Sequence, residues 1–211
     1  KTTLLNILAS LDKPTEGTVK IDGNDLSKIK ESRLASFRRD NLGFVFQEFN
    51  LLDTFTLEDN IYLPLVLSGR HYNEMVRRLI PIAKRLGIEG LLKKYPYEVS
   101  GGQKQRLLIA RALAGGPEIL ILDDSSSALD YKTDAQLRRA LPEHFPDTTI
   151  IMIAQRISSV RFARHILVLD QGEAVGFGRD EELMRNCGVY RSIYSSQHEK
   201  ENEGGLYNAG A

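Results

Sequence analysis

Two stretches in the middle of this chain combine residues that could bind a phosphate group and a metal ion. Ser100-Gly101-Gly102-Gln103 precedes an amphipathic run at residues 107–114. Serine is a good N-cap and glycine has no Cβ, so we expect a helix to begin here with its N–H groups open to an anion. Further along, the carboxylates of Asp123-Asp124 follow the apolar run at residues 119–122, which is typical of a central strand in a parallel sheet.

A third stretch of this kind stands at the start of the sequence. Lys1-Thr2-Thr3 leads into the apolar residues 4–8, as the end of a phosphate-binding loop leads into its helix. The loop glycines and the preceding strand are not in the sequence, and we therefore expect a truncation at the amino end. Each stretch alone has an ordinary explanation, as a capped helix, a solvated strand end or a chance combination. Their occurrence together, in this order, indicates a function.

Together the three stretches resemble the nucleotide-binding domain of ABC transporters, and the resemblance extends over residues 1–197. It implies that residues 100–103 are the signature motif, which closes over an ATP held by a partner domain. Lys1 matches the lysine that reaches the β- and γ-phosphates, and Thr2 matches the hydroxyl that binds Mg²⁺. Thr3 is expected at the α-phosphate. The resemblance therefore implies ATP and Mg²⁺ as ligands.

The resemblance also implies catalytic roles. Asp123 matches the Walker B aspartate, which positions Mg²⁺ through water, and Gln47 matches the Q-loop glutamine that contacts Mg²⁺ and the attacking water. Asp124 stands where the family nearly always has a catalytic glutamate, so its carboxylate reaches one methylene less far. Gln155 stands where the family has a histidine at the γ-phosphate, and glutamine cannot take a positive charge. Asp130 falls in the motif that crosses the dimer interface.

The expected site residues thus form three groups. The catalytic residues are Asp124, Gln155 and Gln47. The metal ligands are Thr2, Gln47 and Asp123. The nucleotide-binding residues are Lys1, Thr2, Thr3, Gln47, Ser100, Gly101, Gly102, Gln103 and Asp130.

Two further strands are predicted beside the one that leads to Asp123. Residues 42–46 form an apolar run that ends at Gln47, and residues 148–153 form another that ends just before Gln155. Such runs indicate strands that are buried on both faces. The predicted fold class is therefore α/β. By resemblance it is a P-loop NTPase core with a mostly parallel sheet, an antiparallel β subdomain that is partly missing, and an inserted α-helical signature subdomain.

The inserted helical subdomain is predicted between Gln47 and Ser100. Thr56 should be the N-cap of a helix that runs through residue 67, and a second helix should run over residues 73–86 and stop at Gly87. The apolar surface near Phe55 is a candidate groove for a coupling helix of a membrane subunit.

Domain bounds and composition follow from the whole chain. We place one ATPase domain at residues 1–197, with the helical subdomain at about 50–115, and a disordered tail at 198–211. Lysine plus arginine and aspartate plus glutamate both number 28, and this zero net charge argues against a nucleic-acid partner. The single cysteine, Cys187, is expected to be a small apolar filler. No apolar run approaches the ~20 residues of a membrane span, and if the protein acts at a membrane, another chain or a missing segment must cross it.

The expected functional unit is a head-to-tail homodimer or heterodimer of ATPase domains. By resemblance it works at the cytoplasmic face of the cell membrane, with a transmembrane permease subunit or a fused membrane domain. The front half, to about residue 111, resembles the ATPases of bacitracin, lipoprotein and macrolide exporters. The back half, from about residue 119, resembles multidrug exporter domains. The predicted function is ATP hydrolysis that powers export of a drug, a peptide antibiotic or a lipid-like substrate.

Two alternatives stay open at this point. Asp124 and Gln155 would suit a subunit whose own site hydrolyses ATP slowly while its intact signature completes a partner's active site. A soluble ABC protein of translation or DNA repair would need no membrane subunit. The helical lobe holds no long coiled-coil heptads, which counts against the chromosome-maintenance branch of such ATPases.

Overall fold

The computed structural model describes residues 2–46, 49–123 and 140–207, with side chains through residue 198. Backbone contacts group them into two compact units, one from Thr2 to Ile153 and one that begins at Ala154. Among the described helices, none combines the length and the apolar character that crossing a bilayer requires.

The first unit combines helices and strands. In chain order its elements are α1 (Thr2–Leu8), β1 (Lys20–Ile21), β2 (Asn24–Asp25), α2 (Glu31–Asn41), β3 (Leu42–Val45), α3 (Leu57–Leu67), α4 (Tyr72–Leu86), α5 (Gly101–Ala114), β4 (Ile119–Leu122) and β5 (Thr149–Met152). Residues 140–144 are also helical. β1 and β2 form a short antiparallel pair.

The three longer strands form a parallel sheet in the order β3-β4-β5. The central strand is the most apolar, and Leu120, Ile121 and Leu122 on it are buried. α5 packs so closely on β3 that a Cβ on Gly43 would lie 2.9 Å from the carbonyl oxygen of Ala112. The predicted parallel strands are confirmed, and β3 and β4 are largely buried as expected, whereas β5 is at most half-buried and its predicted burial is wrong. Glycine at position 43 is what lets the helix approach the sheet.

The helical lobe consists of α3, α4 and α5. Thr56 caps α3 in a reciprocal capping box with Asp59, as a Thr followed three residues later by an acid favours. Gly87 ends α4 with a φ of 63°, a left-handed conformation that glycine adopts without strain. The apolar faces of the three helices share one core with the sheet, which includes Ile61, Leu79, Leu107, Leu108 and Leu120. Both helix boundaries were predicted correctly.

The second unit is a β-hairpin covered by helices. β6 (Ile166–Asp170) pairs antiparallel with β7 (Glu173–Gly178) through a turn at Gln171 and Gly172, both of which have positive φ. α6 (Asp180–Asn186) and α7 (Gly188–Tyr207) follow. Their apolar side chains share a core with Ile166 and Val168 of the hairpin. The buried thiol of Cys187 belongs to this core, in keeping with its expected role as a filler.

The last helix differs from the prediction. The sequence predicted that a disordered tail begins at residue 198, whereas α7 continues to Tyr207. The added turns are rich in Glu and Lys, which have good helix propensity, and Gly204 and Gly205 come only in the final turn. Residues 208–211 lie outside the described residues.

Candidate functional site

The carboxyl ends of the parallel strands bring two of the predicted motifs to one edge of the sheet. Val45, the last residue of β3, is in register with Leu122, the last residue of β4. Just beyond, the backbone N–H of Asp123 donates to the carbonyl oxygen of Val45 over 3.0 Å. Asp123 and the segment that leads to Gln47 therefore leave the sheet side by side, at the edge where α/β proteins bind ligands. Gln47 itself lies outside the described residues.

The groups available for Mg²⁺ are oxygen donors. The hydroxyl of Thr2 is exposed in the first turn of α1, and the carboxylate of Asp123 is half-buried at the sheet edge. Hydroxyl and carboxylate oxygens suit a hard cation that keeps several of its waters, so the residue types fit Mg²⁺. Within the described ranges no three His, Cys, Asp or Glu side chains form a metal-binding group.

The signature stretch forms the predicted capped helix start. Ser100 is the N-cap of α5, and its hydroxyl accepts a hydrogen bond from the N–H of Gln103 over 3.4 Å. The Gln103 side chain returns the bond by accepting from the N–H of Ser100 over 2.9 Å. Gly101 and Gly102 occupy the first turn, which contains no acidic side chain. The positive end of this helix is thus not neutralised within its own first turn.

α5 also holds the segment that follows Gln47. The ammonium of Lys104 lies 5.7 Å from the centroid of the Phe49 ring, which is a cation–π distance. Two turns further along α5, the guanidinium of Arg111 donates to the carbonyl oxygen of Asn50 over 2.9 Å. Burial lowers the pKa of Arg111. The two contacts tie the Q-loop segment, residues 49–50 after Gln47, to α5. Neither Lys104 nor Arg111 belongs to the predicted motifs.

Asn60 is a site residue that the sequence analysis missed. Its side chain is completely buried on α3, between Leu57 and Ile61. Its Oδ1 accepts from the N–H of Leu52 over 2.9 Å, and its Nδ2 donates to the carbonyl of the same residue over 3.1 Å and to that of Phe55 over 3.3 Å. The amide thereby fixes the loop that connects the Q-loop segment to α3. An asparagine among apolar residues on a buried helix face was the available signal.

A cleft of about 260 Å³ opens beside β3, the edge strand of the sheet. Its apolar wall includes Leu63, Pro64 and Leu67 of α3, and two cations, Arg39 and Arg111, also line it. Phe55, near which the sequence predicted a groove, is 41% exposed but does not line this cleft. This cleft lies where α2, β3, α3 and α5 meet, an arrangement that depends on contacts far apart in the sequence.

Gln155 belongs to the second unit. Its side chain is exposed, and the chain runs from it into a short 3-10 turn at Ile157–Ser159. His165 stacks on the ring of Phe177 with centroids 5.3 Å apart. Thr3 lies exposed in the first turn of α1. Four expected site residues, Lys1, Gln47, Asp124 and Asp130, lie outside the described residues.

Comparisons with known proteins agree with the resemblance to ABC transporter ATP-binding domains. The family model described as ABC transporter matches residues 1–127. The chain is similar to the bacitracin export ATP-binding protein BceA of Halalkalibacterium halodurans, with 39% identity over 175 residues that cover 82% of this chain and 69% of that protein. It is 41% identical over 181 residues to the methionine import ATP-binding protein MetN of Cereibacter sphaeroides, covering 84% of this chain and 51% of that protein.

A solved structure matches the fold. It is the dimeric post-hydrolysis state of the ATP-binding cassette MJ0796 bound to ADP and Pi. The TM-score is 0.72 and the sequence identity 37%, over 85% of this chain and 80% of that chain. The predicted α/β fold of an ATP-binding cassette is confirmed by this match.

Proposed function

The chain belongs to the ABC transporter family of ATP-binding proteins, and we propose that it hydrolyses ATP to power export of a substrate through a membrane partner. We propose export because the front half of the chain resembles exporter ATPases; the similar proteins include both a bacitracin exporter and a methionine importer. The substrate class we propose is a drug, a peptide antibiotic or a lipid-like molecule. The proposed place of work is the cytoplasmic face of the membrane.

Phosphate binding is assigned to the amino-terminal residues. We propose that Lys1 neutralises the β- and γ-phosphates, that Thr3 donates to the α-phosphate, and that the Thr2 hydroxyl is a ligand of Mg²⁺. Asp123, the half-buried carboxylate at the sheet edge, and Gln47 complete the metal site. Bound Mg²⁺ supplies positive charge to the phosphates as they gain negative charge during transfer.

Water activation is assigned to residues beside this site. Asp124, directly after Asp123 in the chain, orients the attacking water, and Gln155 and Gln47 hydrogen-bond near the γ-phosphate. One hydrogen bond supports this assignment most directly. It joins Asp123 to Val45 and brings the Walker B segment and the Q-loop segment to the same sheet edge.

The signature helix is assigned to a second nucleotide. We propose that Ser100, Gly101, Gly102 and Gln103 close on the ATP of a partner domain, while Asp130 crosses the interface. The positive end of α5 supports this role, because no acidic side chain lies in its first turn to compete with a bound anion. Each site is then complete only in a head-to-tail dimer, homodimeric or heterodimeric.

The proposal is tested by ATP hydrolysis of the full-length protein. Asp123→Asn keeps the side-chain volume but removes the charge, and we expect at least about a hundredfold loss of turnover. Asp170→Asn is a matched control, since Asp170 also ends a strand but is exposed in the second unit. Equal ATPase rates in the wild type and in Asp123→Asn would refute the proposed function.

The dimer has its own test. Ser100→Ala removes the hydroxyl that caps α5, and we expect it to abolish the ATP-dependent dimer in size-exclusion chromatography with Mg²⁺. Ser192→Ala is a suitable control because Ser192 is exposed and bonds only locally to Gly188. A Ser100→Ala protein that dimerises with the same ATP dependence as the wild type would remove the signature helix from the proposed interface.

A second candidate function is favoured by Asp124 and Gln155, which replace the glutamate and histidine expected in the family. The subunit would then bind ATP, hydrolyse it slowly and complete a partner's active site. A shortfall of ~1 Å in the reach of the carboxylate can cost about a hundredfold in rate. Changing both residues, Asp124→Glu with Gln155→His, should raise turnover strongly if the site is weakened. An unchanged rate would contradict this second function.

The cleft beside β3 is the surface at which we expect the membrane partner to dock. We propose that the cleft with Arg39 and Arg111 receives a partner segment that carries apolar side chains and a carboxylate. The test uses membrane vesicles of the source organism, stripped of peripheral proteins. We expect the protein to rebind to them and Arg39→Glu to bind at least about tenfold more weakly. Equal binding of the wild type to protein-free lipid vesicles would contradict a protein partner at this cleft.

A further inference from the structure

The terminal helix reaches back to the segment that contains Gln155. Gln197 lies on α7, and its side-chain amide makes two hydrogen bonds to the backbone of this segment. Nε2 donates to the carbonyl oxygen of Gln155 over 2.8 Å, and Oε1 accepts from the N–H of Ile157 over 3.0 Å. These groups are about forty positions apart in the chain, so the contact exists only once the second unit has folded.

The chemistry of this contact selects glutamine. The backbone offers one acceptor and one donor, and a primary amide is a side chain that carries one of each on the same carbon. The pattern also fixes the amide orientation, because an N–H must face the Gln155 carbonyl and the oxygen must face the Ile157 N–H. Glutamate could keep only the bond from Ile157, and methionine could keep neither.

The position of Gln197 on its helix holds it rigidly. Residues three, four and seven positions earlier lie on the same helix face. These are Tyr194, Ile193 and Tyr190, which pack in the core of the second unit with Ile157. Tyr190 is also tied by its hydroxyl, which donates to Asp180 over 2.7 Å. The amide is therefore presented from an anchored helix and not from a free surface side chain.

We infer that Gln197 is a positioning residue for residues 155–157, the segment from which Gln155 acts. With Ile157 buried on one side and the Gln155 carbonyl held on the other, the backbone that carries the Gln155 side chain is fixed at two points. The catalytic role of these two hydrogen bonds rests on the proposed function, in which Gln155 contacts the γ-phosphate. The C-terminal helix thereby becomes part of what sets the hydrolysis rate.

The first measurement does not depend on catalysis. Gln197→Met keeps the side-chain length and helix propensity but removes both hydrogen bonds. We expect the amide of Ile157 to exchange with deuterium at least about tenfold faster in this variant than in the wild type. Ser195→Ala, an exposed neighbour on α7, should leave that exchange rate unchanged. Unchanged exchange at Ile157 in Gln197→Met overturns the inference.

The second measurement uses ATP hydrolysis of the full-length protein. We expect Gln197→Met to lower kcat about tenfold while KM for ATP stays within about twofold, because binding is assigned to other residues. Gln197→Glu, which retains the bond from Ile157, should fall between Gln197→Met and the wild type. Faster exchange at Ile157 with an unchanged kcat overturns the positioning role.

Failure of the proposed function can be distinguished from failure of this inference. A wild-type rate that is insensitive to Asp123→Asn refutes the proposed function. A wild-type rate that is abolished by Asp123→Asn but unaffected by Gln197→Met refutes the inference alone.

Discussion

Replacing Asn60 by leucine tests the link between the Q-loop segment and the helical lobe. The two side chains have similar volumes, so the change removes hydrogen bonds without leaving a large cavity. The carbonyls of Leu52 and Thr56 keep other partners, since they also accept from the N–H groups of Phe55 and Asn60. The N–H of Leu52 and the carbonyl of Phe55 lose the partner that Asn60 supplies.

The expected cost follows from this count. Leu52 and Phe55 are themselves exposed, so water can reach the groups that Asn60 leaves, and each lost hydrogen bond costs about 1 kcal/mol. We therefore expect the free energy of unfolding to fall by about 2 kcal/mol, which is a factor of roughly 30 in the unfolding equilibrium. ATP turnover should fall as well, because the loop after Gln47 loses its attachment to α3.

Urea unfolding followed by circular dichroism measures this free energy. Asn73→Leu is the matched control, because Asn73 is exposed in the first turn of α4 and should change stability by no more than about 0.5 kcal/mol. A loss below about 1 kcal/mol in Asn60→Leu would mean that water or a shifted loop replaces the amide. That result would refute the assignment of Asn60 as the residue that holds the loop.

Two further predictions concern packing and pH. Gly43→Ala places a Cβ 2.9 Å from the Ala112 carbonyl, and we expect a loss of about 1–3 kcal/mol in urea unfolding. Gly90→Ala, where the added Cβ meets nothing within 4 Å, should be nearly neutral, and similar losses in both variants would contradict the packing argument. Burial and the hydrogen bond to Asp180 raise the pKa of Tyr190 above its ordinary value of 10.0, so its contribution to stability is complete below pH 10 and is lost as pH rises beyond it. The midpoint temperature of thermal unfolding should therefore fall less steeply between pH 8 and pH 11 in Tyr190→Phe than in the wild type. An equally steep fall in both proteins would refute this effect.

Local signals in the sequence predicted the framework of the site. Thr56 and Ser100 cap helices through residues three positions away, and Gly87 ends its helix by its own backbone conformation. The continuous apolar run of β4 is typical of a central strand in a parallel sheet. These features depend on neighbours in the chain, and they were predicted correctly.

The remaining features depend on distant residues. Nothing near Gln197 in the sequence indicates that its amide reaches Gln155, because 42 positions separate them. The cleft beside β3 joins Arg39 to Arg111, which lie on different helices. The tail was predicted to be disordered because it is polar and glycine-rich, whereas the helix continues through the Glu and Lys residues that precede the glycines. Sequence patterns identify such residues as polar but not which group they meet.

The contrast between local caps and distant strand pairing has a consequence for synthesis on the ribosome. The N-caps of α3 and α5 need only residues within one turn, so these helix starts can form as soon as they leave the exit tunnel. β3 has to wait for its neighbour, since Leu42 pairs with Ile119, 77 positions later. A nascent chain therefore exposes the apolar edge of β3 for several seconds at translation rates of about 5–20 residues per second, and early binding of a chaperone is expected there.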